Sequence, residues 1–328
     1  MRWQQRSIGR SLFGAVLCLS AAAGSGQAAQ PIPVQESLVL SAAWGSGPDD
    51  LGVATPSEAN PEGPMSFALG ADGTLFVLDQ RNRRIQVFAD GKRRRSLPLE
   101  RETWIDLDAA PDGGLALLDA APPGEVRLLA ASGETRFSTP LEGKLIPRAA
   151  EVIQIQVVPA GAWAGVWAVV NAGQGPSRSV RLAGGDGSPL PRVSVPGLFA
   201  ADGDTLLDVA AEGDRALRVT VYEKGSFSNF RQVRVASGFI YAVRGVWRDR
   251  KGNFYVIAAV SAGQKAVREE VVVLGADLRE RGRFPLSAQQ APHEVHRPFR
   301  VDPNGAVFQM IVGRDGRVRV RKFAPSFP

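Results

Sequence analysis

The chain of 328 residues has one cysteine, Cys18, and only two histidines, His293 and His296. Cys18 falls in a leader expected to be removed, so the processed chain has no disulfide, no thiolate nucleophile and no cysteine metal site. Two histidines in one short stretch rule out a histidine centre assembled from several strands. They also leave little choice of base for a serine nucleophile, and no Gly-x-Ser-x-Gly elbow is present. No long helical period occurs. The Ala-rich segments near Ala130 and Ala200 are broken by Gly and Asp within a few residues, which favours turns. The glycine-rich run AGGDGS at 183–188 has no following helix, so a nucleotide-binding loop is not indicated.

Residues 1–29 read as a secretory signal peptide: Arg2, Arg6 and Arg10 form the positive region, 12–23 the apolar region and 26–29 the small-residue cleavage region. The apolar run is shorter than the roughly 20 residues a membrane span needs. Leu17 is too large for a lipoprotein signal at Cys18. An exported protein, periplasmic or extracellular, is therefore expected, with no transmembrane span in the processed chain. Losing three arginines lowers the formal net charge from +6 to +3, too modest to demand an anionic partner. Residues 30–36, with Pro31 and Pro33, form a short extended lead-in. Residues 37–328 show no break in composition that would separate a second domain.

Within 63–99 the chain spells four short strands joined by tight turns. Asp72-Gly73 reverses the first pair, a polar turn over 79–83 the second, and Asp90-Gly91 the third. In that second turn Asn82 tolerates a left-handed backbone and Asp79 can accept bonds from turn amides. A lone sheet of about 35 residues cannot cover its own apolar faces, so copies must stack. The turn glycine returns at Gly113, Gly161, Gly203, Gly252 and Gly305, at intervals of 40, 48, 42, 49 and 53 residues, each followed by an apolar run. Six copies of a four-stranded unit predict an all-β, six-bladed β-propeller with blades near 64–99, 104–141, 152–195, 197–236, 240–286 and 297–328. The sixth copy is short by a strand. The segment 37–44, SLVLSAAW, is expected to supply it, closing the ring by pairing with the last blade. Blades three and four are the least legible, and their strand content stays open.

Residues 63–92 resemble an NHL repeat through Pro64, Ala68, Asp72-Gly73, Leu75, Val77, Asp79, Asn82, the run RIQVF at 84–88 and Gly91-Lys92. WGSGPDDLG from Trp44 resembles the linker between such repeats. The resemblance implies a six-bladed propeller but leaves function open, because NHL propellers occur in lyases, sensor domains, lectin-like binders and RNA-binding proteins.

Two functional readings follow. The favoured one is a non-catalytic binding or scaffolding module recognising a protein or an anionic envelope or extracellular polymer through one face of the disc. Nucleic acid is not expected, and no cofactor is required. The expected face carries the loops 48–62, 100–104, 171–178, 260–267 and 287–298. Candidate contacts are Trp104 and Trp247 as anchors, the basic turn with Arg94 and Arg95, the strand bearing Arg317, Arg319 and Arg321 on one face, and the loop with His293 and His296. Trp163 and Trp167 share the expected positions of the other tryptophans, at inner-strand starts or in connections. The second reading is a metal-assisted hydrolase or lyase, resembling propeller lactonases that hold calcium or another divalent cation in the channel. Glu62, in Glu62-Gly63-Pro64, resembles their acidic ligand, with Asp106, Asp108, Asp302 and Asn304 near other inner strands.

Overall fold

The computed structural model describes residues 31–55, 57, 61–171, 176–235, 238–261, 267–288 and 295–327; the segment 1–29, read above as a signal peptide, and His293 lie outside them. The described residues form six four-stranded antiparallel sheets, the blades of a ring. From inner to outer strand, blade 1 is Ser66–Leu69, Leu75–Asp79, Arg84–Ala89 and Lys92–Pro98. Blade 2 is Trp104–Ala109, Leu115–Asp119, Glu125–Leu129 and Thr135–Pro140. Blade 3 is Val152–Val158, Gly165–Val170, Arg178–Ala183 and Ser194–Pro196. Blade 4 is Leu198–Phe199, Thr205–Ala211, Ala216–Glu223 and Ser226–Arg234. Blade 5 is Phe239–Arg248, Phe254–Ser261, Val267–Leu274 and Glu280–Pro285. Blades 3 and 4 thus keep four strands, through very short members where they meet.

Blade 6 takes Phe299–Val301, Val307–Gly313 and Arg317–Pro325 from the C-terminal end of the chain and its outer strand, Val34–Ala43, from the N-terminal end. The outer pair is antiparallel, with Val34 opposite Pro325 and Ala43 opposite Arg317. Every repeated turn glycine has a left-handed backbone, φ +84° at Gly73, +82° at Gly113, +87° at Gly161, +75° at Gly203, +84° at Gly252 and +89° at Gly305. A side chain there would be strained, which is why glycine marks the repeat.

Side chains alternate across each blade, and successive residues enter different blade interfaces. Leu75 and Val77 pack with Phe308 and Met310 of blade 6, whereas Phe76 and Leu78 pack with Leu107 and Leu117 of blade 2. The core is therefore six apolar clusters, one at each junction between neighbouring blades, rather than one central mass. This arrangement lets short strands build a large protein without a thick interior.

The polar turn of blade 1 works differently from the expectation. The left-handed residue is Arg83, φ +51°, and among the described residues Asp79 accepts from no backbone amide of its own turn. It is fully buried and instead fastens the 45–52 segment, accepting from Gly52 N at 2.8 Å and from Arg84 Nε at 2.8 Å. Asn82 Nδ2 donates to Asp79 Oδ2 and to Gly45 O, both at 2.9 Å. Arg84 Nη2 donates to Gly47 O and Asp50 O, both at 2.8 Å.

Candidate functional site

Inner strands converge on the ring's axis, and the residues flanking the blade 6 inner strand meet blade 2 there. Asp106 has no solvent exposure, and its carboxylate accepts from four groups. Ser66 Oγ reaches Oδ1 at 2.5 Å and Ile155 N reaches Oδ2 at 3.0 Å. Arg297 Nη1 lies 3.2 Å from Oδ2 and Arg300 Nη2 3.4 Å from Oδ1. Arg300 Nη2 also donates to Leu107 O at 2.8 Å, and Arg297 Nη1 to Ile155 O at 3.0 Å. These bonds lace blades 1, 2, 3 and 6 together across the channel.

Beside this network a cavity of about 660 Å³ opens among the turns that follow the inner strands, such as Gly70–Gly73, Ala109–Pro111 and Asp302–Asn304. Phe199, Trp247 and Phe308 form part of its wall, and Asp108, Arg250, Arg297 and Arg300 line it. Asp108 Oδ2 accepts from Val157 N at 2.9 Å. Burial pushes the Asp108 carboxyl up to about 6, with Arg297 opposing the rise and Asp106 adding to it. Two guanidiniums and two carboxyl groups thus share the channel.

The loops expected to form the binding face lie at the other end of the strands from the turns that open into this cavity, because strand direction alternates within every blade. The cavity thus opens on the opposite rim of the channel from the expected binding face. Sequence reading missed Arg297 and Arg300 altogether. The available signal was two arginines bracketing the start of an inner strand, opposite two aspartates spaced by two on another.

The other candidates separate. Trp247 lines the cavity. Arg94 and Arg95 line an adjoining cavity of about 440 Å³ that shares Ala71, Asp72 and Ala110 with it. Trp104 is fully buried between blades 1 and 2, with Arg101 and Arg127 stacked 4.5 and 5.2 Å from its ring, so it cannot anchor a ligand. Trp167 sits within the second strand of blade 3, fully buried, rather than in a connection. Arg317, Arg319 and Arg321 are not on a sheet edge, since the outer strand of blade 6 covers theirs. Arg317 Nε donates to Ser41 Oγ at 2.7 Å, Arg319 pairs with Asp315, and Arg321 pairs with Glu36. His296 is half-buried and its backbone N–H donates to Met65 O at 2.9 Å.

The oxygen ligands do not gather. Glu62 pairs with Arg81 at 3.0 Å. Asp302 accepts from the backbone of Asn304 and Ala306, both at 2.9 Å, and so closes its turn. Asp106 is held by the two arginines. Among the described residues no group of three or more His, Cys, Asp or Glu side chains is placed to share a metal ion.

No protein-family model matches this chain, and no curated protein does. Its fold matches many solved structures. One is a member of the DUF4221 family from Bacteroides vulgatus, 10% identical, with a TM-score of 0.56 over 91% of this chain and 100% of the other. A gluconolactonase from Xanthomonas campestris is 15% identical, with a TM-score of 0.49 over 88% of this chain and 99% of its own. Virginiamycin B lyase from Staphylococcus aureus is 11% identical, with a TM-score of 0.43 over 89% and 99%. The structural neighbours thus include lactonase-like and lyase enzymes together with proteins of unknown function, and at these identities the likeness shows the six-bladed propeller fold alone.

Proposed function

We propose that this protein is an exported, non-catalytic binding or scaffolding propeller that recognises a protein or an envelope or extracellular polymer through the disc face onto which the channel cavity opens. The observation that supports it most is the commitment of Asp106 to Arg297 and Arg300. A hard cation needs several free oxygens from different strands, and the one fully buried inner-strand carboxylate here is already neutralised by guanidinium groups. Trp247 in the cavity wall and Arg94 and Arg95 beside it give that face an aromatic group and cations suited to contact.

The first test is elemental analysis of protein purified without chelator, together with its melting temperature before and after chelation. The expected result is no stoichiometric divalent metal and no shift. Stoichiometric calcium with a chelation-sensitive melt would overturn this reading in favour of the hydrolase or lyase. A second test measures binding of the immobilised propeller to cell-envelope fractions, where Arg94→Glu with Arg95→Glu should weaken retention.

A further inference from the structure

The two channel arginines carry donors for which the described residues supply no acceptor. Arg297 and Arg300 have side chains 11% and 6% exposed, and both ion-pair with the same carboxylate. Asp106 is saturated by its four donors. The Nε–H groups of both arginines are buried without a hydrogen-bond partner among the described residues. Among the described residues Arg297 makes its side-chain bonds through Nη1, and its Nε and Nη2 edge meets no acceptor there. That edge is the fork that takes a carboxylate through two parallel bonds.

The nearby carboxyl groups do not take up these donors. Asp72 is held in its turn by Thr74 N at 3.0 Å and Thr74 Oγ1 at 2.9 Å. Asp302 is likewise committed to its own turn, and Asp108 Oδ2 to Val157 N. Arg250, also lining the cavity, is exposed and makes no ion pair among the described residues. We propose that the channel cavity binds a small carboxylate-bearing molecule, its carboxylate taken by Arg297 and Arg300 and its remainder lying against Phe199, Trp247 and Phe308.

Three considerations select this ligand class. A cation would face two buried guanidiniums. A neutral ligand without a strong acceptor would leave the Nε–H groups unsatisfied, which is costly in a buried site. The volume, about 660 Å³, falls within the range for small-molecule pockets, and its wall combines apolar surface with a few convergent polar groups. The inference rests on the reading of this face as the binding face and adds its chemistry.

The test is calorimetric titration of the full chain, at fixed ionic strength, with benzoate, glutarate and citrate and with the neutral benzamide and glutaramide. At least one acid should bind about tenfold or more tightly than its amide or than any neutral probe. Arg297→Lys keeps the charge beside Asp106 but removes the fork, and should weaken that acid by about tenfold while leaving the amides unchanged. Arg250→Ala, at an exposed position outside the ion-paired network, should weaken it by a few-fold, roughly as expected for a rim charge. Circular dichroism confirms that each variant is folded, and Arg250→Ala decides the matter alone if Arg297→Lys is not. Acids that fail to bind, acids that bind no better than amides, or binding indifferent to both substitutions would overturn the proposal. Retention on envelope fractions that persists in the absence of acid binding would sink this inference alone, while loss of both would sink the binding reading with it.

Discussion

Asp106 neutralises two arginines that lie 191 and 194 residues along the chain, so its replacement uncovers more charge than it removes. Asp106→Asn keeps the shape but takes from two buried guanidiniums the carboxylate they share. Breaking a buried ion pair in this way costs about 3–5 kcal/mol, and the urea midpoint should fall accordingly. A midpoint shift within experimental error would mean that Arg297 and Arg300 are solvated rather than paired. Asp108 tests the same environment through pH. Its folded value, about 6, lies above the ordinary 3.8, so the native state holds the proton more tightly than the unfolded chain does. Its contribution to stability is therefore fullest at low pH and is lost as pH rises through about 6, being constant above that. Asp108→Asn should lack this component, so urea midpoints of variant and wild type should diverge between pH 4 and 6 and run parallel from pH 7 upward. Parallel curves throughout would show that burial does not hold the proton on Asp108.

At the scale of elements, the closing strand and the fastened 45–52 segment are joined in sequence and depend on each other. The strand Val34–Ala43 completes blade 6, and Asp79 then secures the chain as it enters blade 1. Deleting 34–43 should abolish cooperative melting, because it strips the outer strand from blade 6 and removes Leu40 and Ala42 from the junction with blade 1. An unchanged melting transition would show that the ring closes without it. Gly52→Ala probes the fastening directly. A Cβ at that position would lie 2.9 Å from Asp79 Oδ1 and 2.7 Å from the Arg81 Cβ, so the segment must shift and loosen Gly52 N–H from its acceptor. Leaving the buried Asp79 oxygen short of a donor costs about 1–3 kcal/mol, read as a lower melting temperature. These elements also show what a single sequence can display. The closing strand was legible because blade 6 ended one strand short. The turn glycines were legible because positive φ selects a residue type. The bond from Asp79 to Gly52 was not, since Asp-x-x-Asn spells a local turn equally well and only the fold reveals that the partner comes from another segment. The channel network was hidden for a stronger reason: Asp106 belongs to blade 2 and Arg297 and Arg300 to blade 6, and sequence pattern alone does not tell which inner strands face one another.

For the whole molecule, a core divided among six junctions makes stability close to a sum of neighbouring interfaces, and a ring is then as strong as the joint that opens first. The joints are unequal. The cluster between blades 3 and 4 holds five buried apolar residues, Val158, Trp167, Val195, Phe199 and Leu206, whereas the cluster between blades 4 and 5 holds fifteen. The strands meeting at the smaller joint are also among the shortest, Ser194–Pro196 and Leu198–Phe199. Two aromatic groups make up for the numbers: Trp167 and Phe199 lie 4.7 Å apart, with Trp163 edge-on to Trp167 at 5.9 Å. Aromatic side chains each bury on the order of 150–250 Å², so these two supply much of the apolar contact of this small joint. Trp167→Ala should therefore cost about 3–5 kcal/mol, and the loss should be local before it is global. Native-state hydrogen exchange should show the amides of Val195 and Phe199 losing protection in the variant at denaturant concentrations where Val256 and Val272, in the large blade 4–5 cluster, remain protected. Loss of protection at all four positions together would mean that the ring unfolds as one unit and that no junction is its weak point.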